Sequence, residues 1–289
     1  MAFNWQTFRT RALTALIFVA VMLTGLLWNH WSFLILFSVI HFGCWWEYLK
    51  LTEKIHQTTF HRYMQLGFML IGYGIMIMFC GRAYSIGGYG LKENLALPVS
   101  LAGFILLVIG IFQKQKINLK AFGYAALGLL YISLSWGMMI ELRQRGMAFK
   151  GNTLFFDFGI VYPCLIIFSI WINDTMAYLV GSFIGKTPLS KISPKKTWEG
   201  TVGGAVLAIV IMALSGPEII GNNAKNVAII AAISAIAGTF GDLLESKLKR
   251  LAGVKDSGSI MPGHGGFLDR FDSLLLATPF VWLYVFLFL

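Results

Sequence analysis

At 289 residues the chain could form one large domain or two small ones. Its composition, 57% hydrophobic and only 12% charged with a mean hydropathy of +0.72, excludes an ordinary soluble globule and indicates a polytopic membrane protein. The formal charge of +10 then reads as loop lysines and arginines that set orientation and meet anionic lipid, not as a nucleic-acid surface.

Arg9 and Arg11 precede an apolar run that lacks a small-x-small cleavage site, so a retained first span is expected and not a signal peptide. Apolar windows near 12–28, 31–49, 64–80, 97–112, 121–141, 156–183, 201–215, 226–246 and 273–289 are each long enough to cross a hydrocarbon core. They predict an all-α integral membrane protein with about nine transmembrane helices. With the N-terminus cytoplasmic, most of the 23 lysines and arginines, Lys114 and Lys116 among them, fall on the cytoplasmic side. Only Arg82, Lys92, Arg143, Arg145, Lys150 and Lys225 fall opposite. Cys44, Cys80 and Cys164 lie in or beside apolar segments without a C-x-x-C pair, which argues against disulfides and zinc clusters.

Residues 1–154 read as a transmembrane scaffold of about five spans. Glu47 and Glu141 sit at span ends, and His30, His41, His56 and His61 show no ligand spacing. Trp28, Trp31, Trp45 and Trp46 read as interfacial anchors. Residues 155–289 read as a transmembrane catalytic half, about four spans with two charged cytoplasmic loops.

That second half carries the chemistry. Asn173 and Asp174 lie toward the end of the sixth span with Tyr178 one turn on, and an ionisable group there is costly unless it faces a polar cavity. In the loop 185–200, Pro188 and Pro194 oppose a regular helix. Lys195, Lys196, Thr197, Glu199 and Gly200 then lead into the next helix, a pattern that suits a phosphate but is not a Walker sequence. Asp242, Glu245, Ser246 and Lys249 are spaced three, four and seven apart from the first, so they form a polar stripe at the cytoplasmic end of the eighth span. The stripe runs into Ser246–Asp272, where Asp256, Asp269 and Asp272 mix with lysines and arginines around Pro262-Gly263-His264-Gly265-Gly266. Acids beside bases on glycine-rich backbone suit metal-dependent phosphoryl or nucleotidyl transfer.

The Ser246–Asp272 stretch closely resembles the signature of the CDP-diacylglycerol synthases, the phosphatidate cytidylyltransferases. Ser246, Lys249-Arg250, Lys255-Asp256, Pro262 to Gly266 and Asp269 to Asp272 match it in type and spacing, with Met261 at a position that usually holds Leu, Ile or Phe. Asn173-Asp174-Thr175 with Ala177-Tyr178, and Ser193 to Thr197 with Glu199-Gly200, are similar to the same family. The resemblance implies transfer of a cytidylyl group from CTP to phosphatidate, with Mg2+ and K+ as a candidate second ion. It also implies a homodimer whose active site opens to the cytoplasm and the lipid.

Asp242 and Asp269, which resemble the family's metal-binding aspartates, are the expected metal ligands, and the charge of the loop makes Asp256 and Asp272 the next candidates. Read physically, Lys195, Lys196, Lys249 and Arg270 are expected to hold phosphates with Ser246 as an assisting oxygen donor, and His264, between its glycines, to donate to a phosphate or to the leaving pyrophosphate. Gly265 and Gly266 line the substrate with Thr197, and Asp174 orients a basic residue or a metal-bound water. A CTP-dependent polyprenol kinase and an anion transporter are the competing readings. The chain has no long N-terminal extension or targeting feature, so a bacterial inner membrane is expected.

Overall fold

A computed structural model of the protein describes residues 5–113, 117–150, 153–220, 223–259 and 265–289. Lys114, Lys116 and His264, all named above, lie outside the described residues. The described residues are predominantly helical. In order it forms α1 (Trp5–Leu27), α2 (His30–His56), α3 (Arg62–Met78), the short hairpin β1 (Ser85–Ile86) and β2 (Tyr89–Gly90), then α4 (Leu97–Ile111) and α5 (Leu119–Gly128). Next come α6 (Ser135–Gln144), a second hairpin of β3 (Met147–Lys150) and β4 (Thr153–Asp157), α7 (Val161–Ile184), α8 (Trp198–Ile220), α9 (Ala224–Leu251) and α10 (Leu268–Phe288). Five π-helical residues, Lys92–Ala96, open the α4 rod, and six more, Leu129–Leu134, join α5 to α6.

Among the described residues, 7 helical stretches are long and apolar enough to cross a membrane. The apolar part of α1 is shorter, Leu16–Leu27, and α3 has 17 residues. Large apolar side chains point outward along the rods, Phe104 at 56% and Phe183 at 84% exposure among them, as lipid-facing helices require. The sixth expected span starts too early: Phe156 and its neighbours pair as β4, and the helix begins only at Val161.

Two compact units divide the chain. One comprises Met1–Ser133 with Leu251–Arg270, the other Leu134–Arg250 with Phe271–Leu289. In the first, α2 starts with a capping box, Asn29 Oδ1 accepting from Ser32 N at 2.9 Å while Asn29 N donates to Ser32 Oγ at 3.0 Å. Helices α3 and α4 cross through small residues, and a methyl group added at Gly103 would come within 2.6 Å of the Ile71 nitrogen. Trp45 is not an interfacial anchor: it is fully buried and donates from Nε1 to Ser133 Oγ at 2.8 Å. An amphipathic ring marks an interface only when its polar end is wet, and here that end finds a protein partner. His41 Nε2 shares the same hydroxyl at 3.0 Å, and His61 Nδ1 caps α3, so both act structurally.

The second unit is built around Trp136, Leu165, Ile166, Ile230 and Leu275, all fully buried. Helices α7 and α8 pack through Ala177 and Gly204 and through Gly181 and Gly200, so their backbones approach closely. Pro279 sits inside α10, a break that neighbouring helices make tolerable in a membrane rod.

Candidate active site

The polar stripe on α9 is realised in the second unit. Asp242 and Glu245, one turn apart, meet Asp272 from α10, and one oxygen from each of the three carboxylates falls within 4.8 Å of the others. Glu245 and Asp272 are buried. Gly241 lets α10 come this near, because a methyl group there would meet the Asp272 carbonyl carbon at 3.0 Å and Ser273 Cα at 2.9 Å.

Three converging carboxylates repel one another unless cations compensate. Lys196 Nζ, from the loop before α8, pairs with Asp242 Oδ2, and Lys249 Nζ pairs with Glu245 Oε2 at 2.5 Å. Ser246 Oγ donates weakly to Asp242 Oδ1 at 3.4 Å. Asp174 on α7 is exposed, accepts from Asn173 Nδ2 at 3.4 Å and interacts electrostatically with Lys196 and Asp242. The acids outnumber the paired lysines, and their donors are all hard oxygens, which fits a divalent cation of the Mg2+ type.

The loop 185–197 brings Lys196 to Asp242 through its own hydrogen bonds. Leu189 N donates to the Lys196 carbonyl at 2.8 Å, Trp198 N to the Thr187 carbonyl at 2.9 Å, and Glu199 accepts from the Lys186 and Thr187 amides. Thr197 Oγ1 accepts from Gly200 N at 3.2 Å and so caps α8. Lys195 is exposed.

Among the described residues of the first unit, Asp269 is the centre of a second polar cluster. Asp269 Oδ2 accepts from Ser257 N at 2.9 Å, Ser257 Oγ at 2.8 Å and Gly266 N at 2.8 Å. Gly265 has φ +80° and Gly266 follows in close contact, so the turn in front of α10 requires glycine. Glu47 of α2, to which the sequence attached no role, lies in this cluster too. Asp256 and Arg270 are exposed.

Of the expected residues, Asp174, Lys196, Asp242, Ser246, Lys249 and Asp272 therefore gather in one cluster, and Gly265, Gly266 and Asp269 in the other. Glu245 is the residue that the candidate ligand set omitted. Its position three residues after Asp242 on the same face was the available signal.

The cytidylyltransferase family matches residues 9–288. A phosphatidate cytidylyltransferase of Bacillus subtilis is 37% identical over 208 residues, 68% of this chain and 69% of its own length. One of Staphylococcus saprophyticus is 30% identical over 275 residues, 94% of this chain and 96% of its own. A chloroplastic phosphatidate cytidylyltransferase of Arabidopsis thaliana is 32% identical over 210 residues, 66% of this chain and 53% of its own. The chain belongs to the cytidylyltransferase family.

Proposed function

We propose that this protein transfers the cytidylyl group of CTP to phosphatidate, releasing pyrophosphate and supplying CDP-diacylglycerol for phospholipid synthesis. The observation that carries this reading is the family match across residues 9–288, with phosphatidate cytidylyltransferases at 30% and 37% identity.

The chemistry suits the cluster on α9 and α10. A phosphate oxygen of phosphatidate attacks the α-phosphorus of CTP. One P–O bond forms as the bond to the bridging oxygen breaks, and pyrophosphate leaves with the electron pair. The attacking oxygen is already anionic, so no side chain has to remove a proton from it, and catalysis is mainly positioning and charge compensation. Asp242, Glu245 and Asp272 would hold a divalent cation, which would screen the meeting phosphates. Lys196 has three ammonium donors; with one on Asp242 it can also face a phosphate oxygen. Lys249 adds a second positive charge at the buried end of the cluster. Lys195 and Arg270 would hold phosphates, Asp256 would support the metal site, and His264 would donate to a phosphate or to the leaving pyrophosphate.

The same proposal has nine spans, a cytoplasmic N-terminus and a homodimer in a bacterial inner membrane. The span count and orientation rest on the one-sided excess of loop lysine and arginine, the membrane on the bacterial relatives, and the homodimer on the family resemblance.

The test uses purified protein in detergent–phosphatidate micelles and CTP labelled at the α- or γ-phosphate, with Mg2+ and then EDTA. The expected result is α-label in the lipid with pyrophosphate released, abolished by EDTA. Transfer of γ-label to a polyprenol in the same assay would replace the reading by a kinase. If folded protein moved neither label, anion uptake by vesicles would be the next assay.

A further inference from the structure

Glu47 is a buried carboxylate about two thirds of the way along α2, in a stretch that otherwise packs as apolar scaffold. Every hydrogen bond described for its carboxylate comes from Ser257 or from the first amides at the start of α10, more than two hundred residues later in the chain. Its Oε1 accepts from Phe267 N at 2.9 Å, and its Oε2 accepts from Leu268 N at 2.9 Å and from Ser257 Oγ at 2.8 Å. Ser257 Oγ stands equally close, 2.8 Å, to Asp269 Oδ2, so one hydroxyl joins the two carboxylates. Phe267 N and Leu268 N include the opening amides of α10, whose donors have no partner within the helix.

The sterics around Glu47 agree. Gly43, one turn earlier on the same face of α2, leaves room for the Phe267 ring, which a methyl group would strike. Methyl groups at Gly258 or Gly266 would strike the Glu47 carboxyl itself. Two glycines thus abut the carboxylate and a third makes room for Phe267, so Ser257–Gly258 and Gly266–Leu268 both reach it.

We propose that Glu47 is a positioning residue for the reaction: by holding Ser257, Phe267 and Leu268 together it fixes the turn that presents Asp269. The inference rests on the cytidylyltransferase reading above. Glu53, six residues on, is the contrasting case. It is also a carboxylate on α2 and accepts from Phe60 N at 2.6 Å and Gln65 Nε2 at 3.0 Å, but it ties only the α2–α3 corner.

The experiment compares Glu47→Gln, Ser257→Ala and Glu53→Gln with the full-length parent in detergent. The readouts are thermal unfolding, trypsin cleavage after Lys255 in EDTA, and kcat and KM for CTP. In Glu47→Gln an amide NH2 faces a backbone N–H, so cleavage after Lys255 should quicken about fivefold or more while kcat per folded molecule drops at least about tenfold with KM little changed. Ser257→Ala, which removes only the joining hydroxyl, should change in the same direction by a smaller factor. Glu53→Gln should lower the unfolding temperature and leave both loop cleavage and kcat at the parent values. The proposal is overturned if Glu47→Gln and Ser257→Ala keep parental cleavage and kcat, or if Glu47→Gln merely follows Glu53→Gln. If the parent itself forms no CDP-diacylglycerol, the functional reading has failed, and the cleavage comparison still decides whether Glu47 holds the turn.

Discussion

Lys249 reaches back one turn along α9 to Glu245 and pairs with it at 2.5 Å, although Glu245 is fully buried. A carboxylate taken out of water needs a counter-charge, and removing one partner of such a pair costs more than the pair contributes. Lys249→Met should therefore lower stability by about 3 kcal/mol and kcat by about 100-fold. Adding Glu245→Gln should restore most of the stability and none of the activity. Thermal unfolding in detergent, read beside turnover per folded molecule, separates the two effects. Recovery of both by the double variant would reduce the pair to a structural role.

Arg143 and Asp157 form the opposite kind of pair, tight but without a link to the proposed chemistry. The guanidinium at the end of α6 is buried and meets both carboxylate oxygens of Asp157 at 2.5 and 2.8 Å, closing the hairpin onto the helix. Asp157 is partly exposed, so solvent takes part of the benefit, and Asp157→Asn should cost about 2 kcal/mol. Its kcat per folded molecule should match the parent. A selective loss of kcat would show that this corner serves the reaction.

The sequence made the rods and one cluster legible for a local reason. Apolar windows mark helices directly, and Asp242, Glu245, Ser246 and Lys249 repeat at helical spacing, so their shared face could be read without any tertiary information. The hairpin Met147–Asp157 was missed because Phe155, Phe156 and Phe158 read as the start of an apolar span, and hydropathy does not distinguish a short strand from a helix end. The π-helical turns leave no composition signal. Glu47 was invisible for a different reason: its partners Ser257, Phe267 and Leu268 lie 210, 220 and 221 residues away, and two of them donate from the backbone. Trp45 was misassigned because the sequence did not reveal Ser133 as the partner of its indole.

Thr197 tests whether a signature hydroxyl serves the substrate or the helix. Its Oγ1 accepts from Gly200 N and caps α8, while Lys196 beside it points to Asp242. Loss of an N-cap costs about 1 kcal/mol, so Thr197→Ala should lower stability by about that amount and Thr197→Ser should restore it. KM for CTP should be unchanged in both variants. A rise in KM in the alanine variant that serine reverses, with unfolding unaffected, would assign the hydroxyl to the nucleotide.

Asp272 provides the test of the cation. It reaches Asp242 and Glu245 from another helix, and its Oδ1 also accepts from Ser273 N at 2.6 Å, which fixes the direction of the carboxylate. Asparagine keeps the size and one acceptor oxygen but removes the charge that would attract a hard ion. Asp272→Asn should therefore need about tenfold more Mg2+ for half-maximal turnover, with the deficit narrowing as Mg2+ rises. Asp157→Asn, changed in the same chemical way at the hairpin, should show the parent's Mg2+ curve. A Mg2+ curve for Asp272→Asn that overlays the parent would remove Asp272 from the ligand set and leave Asp242 and Glu245 as the pair to test next.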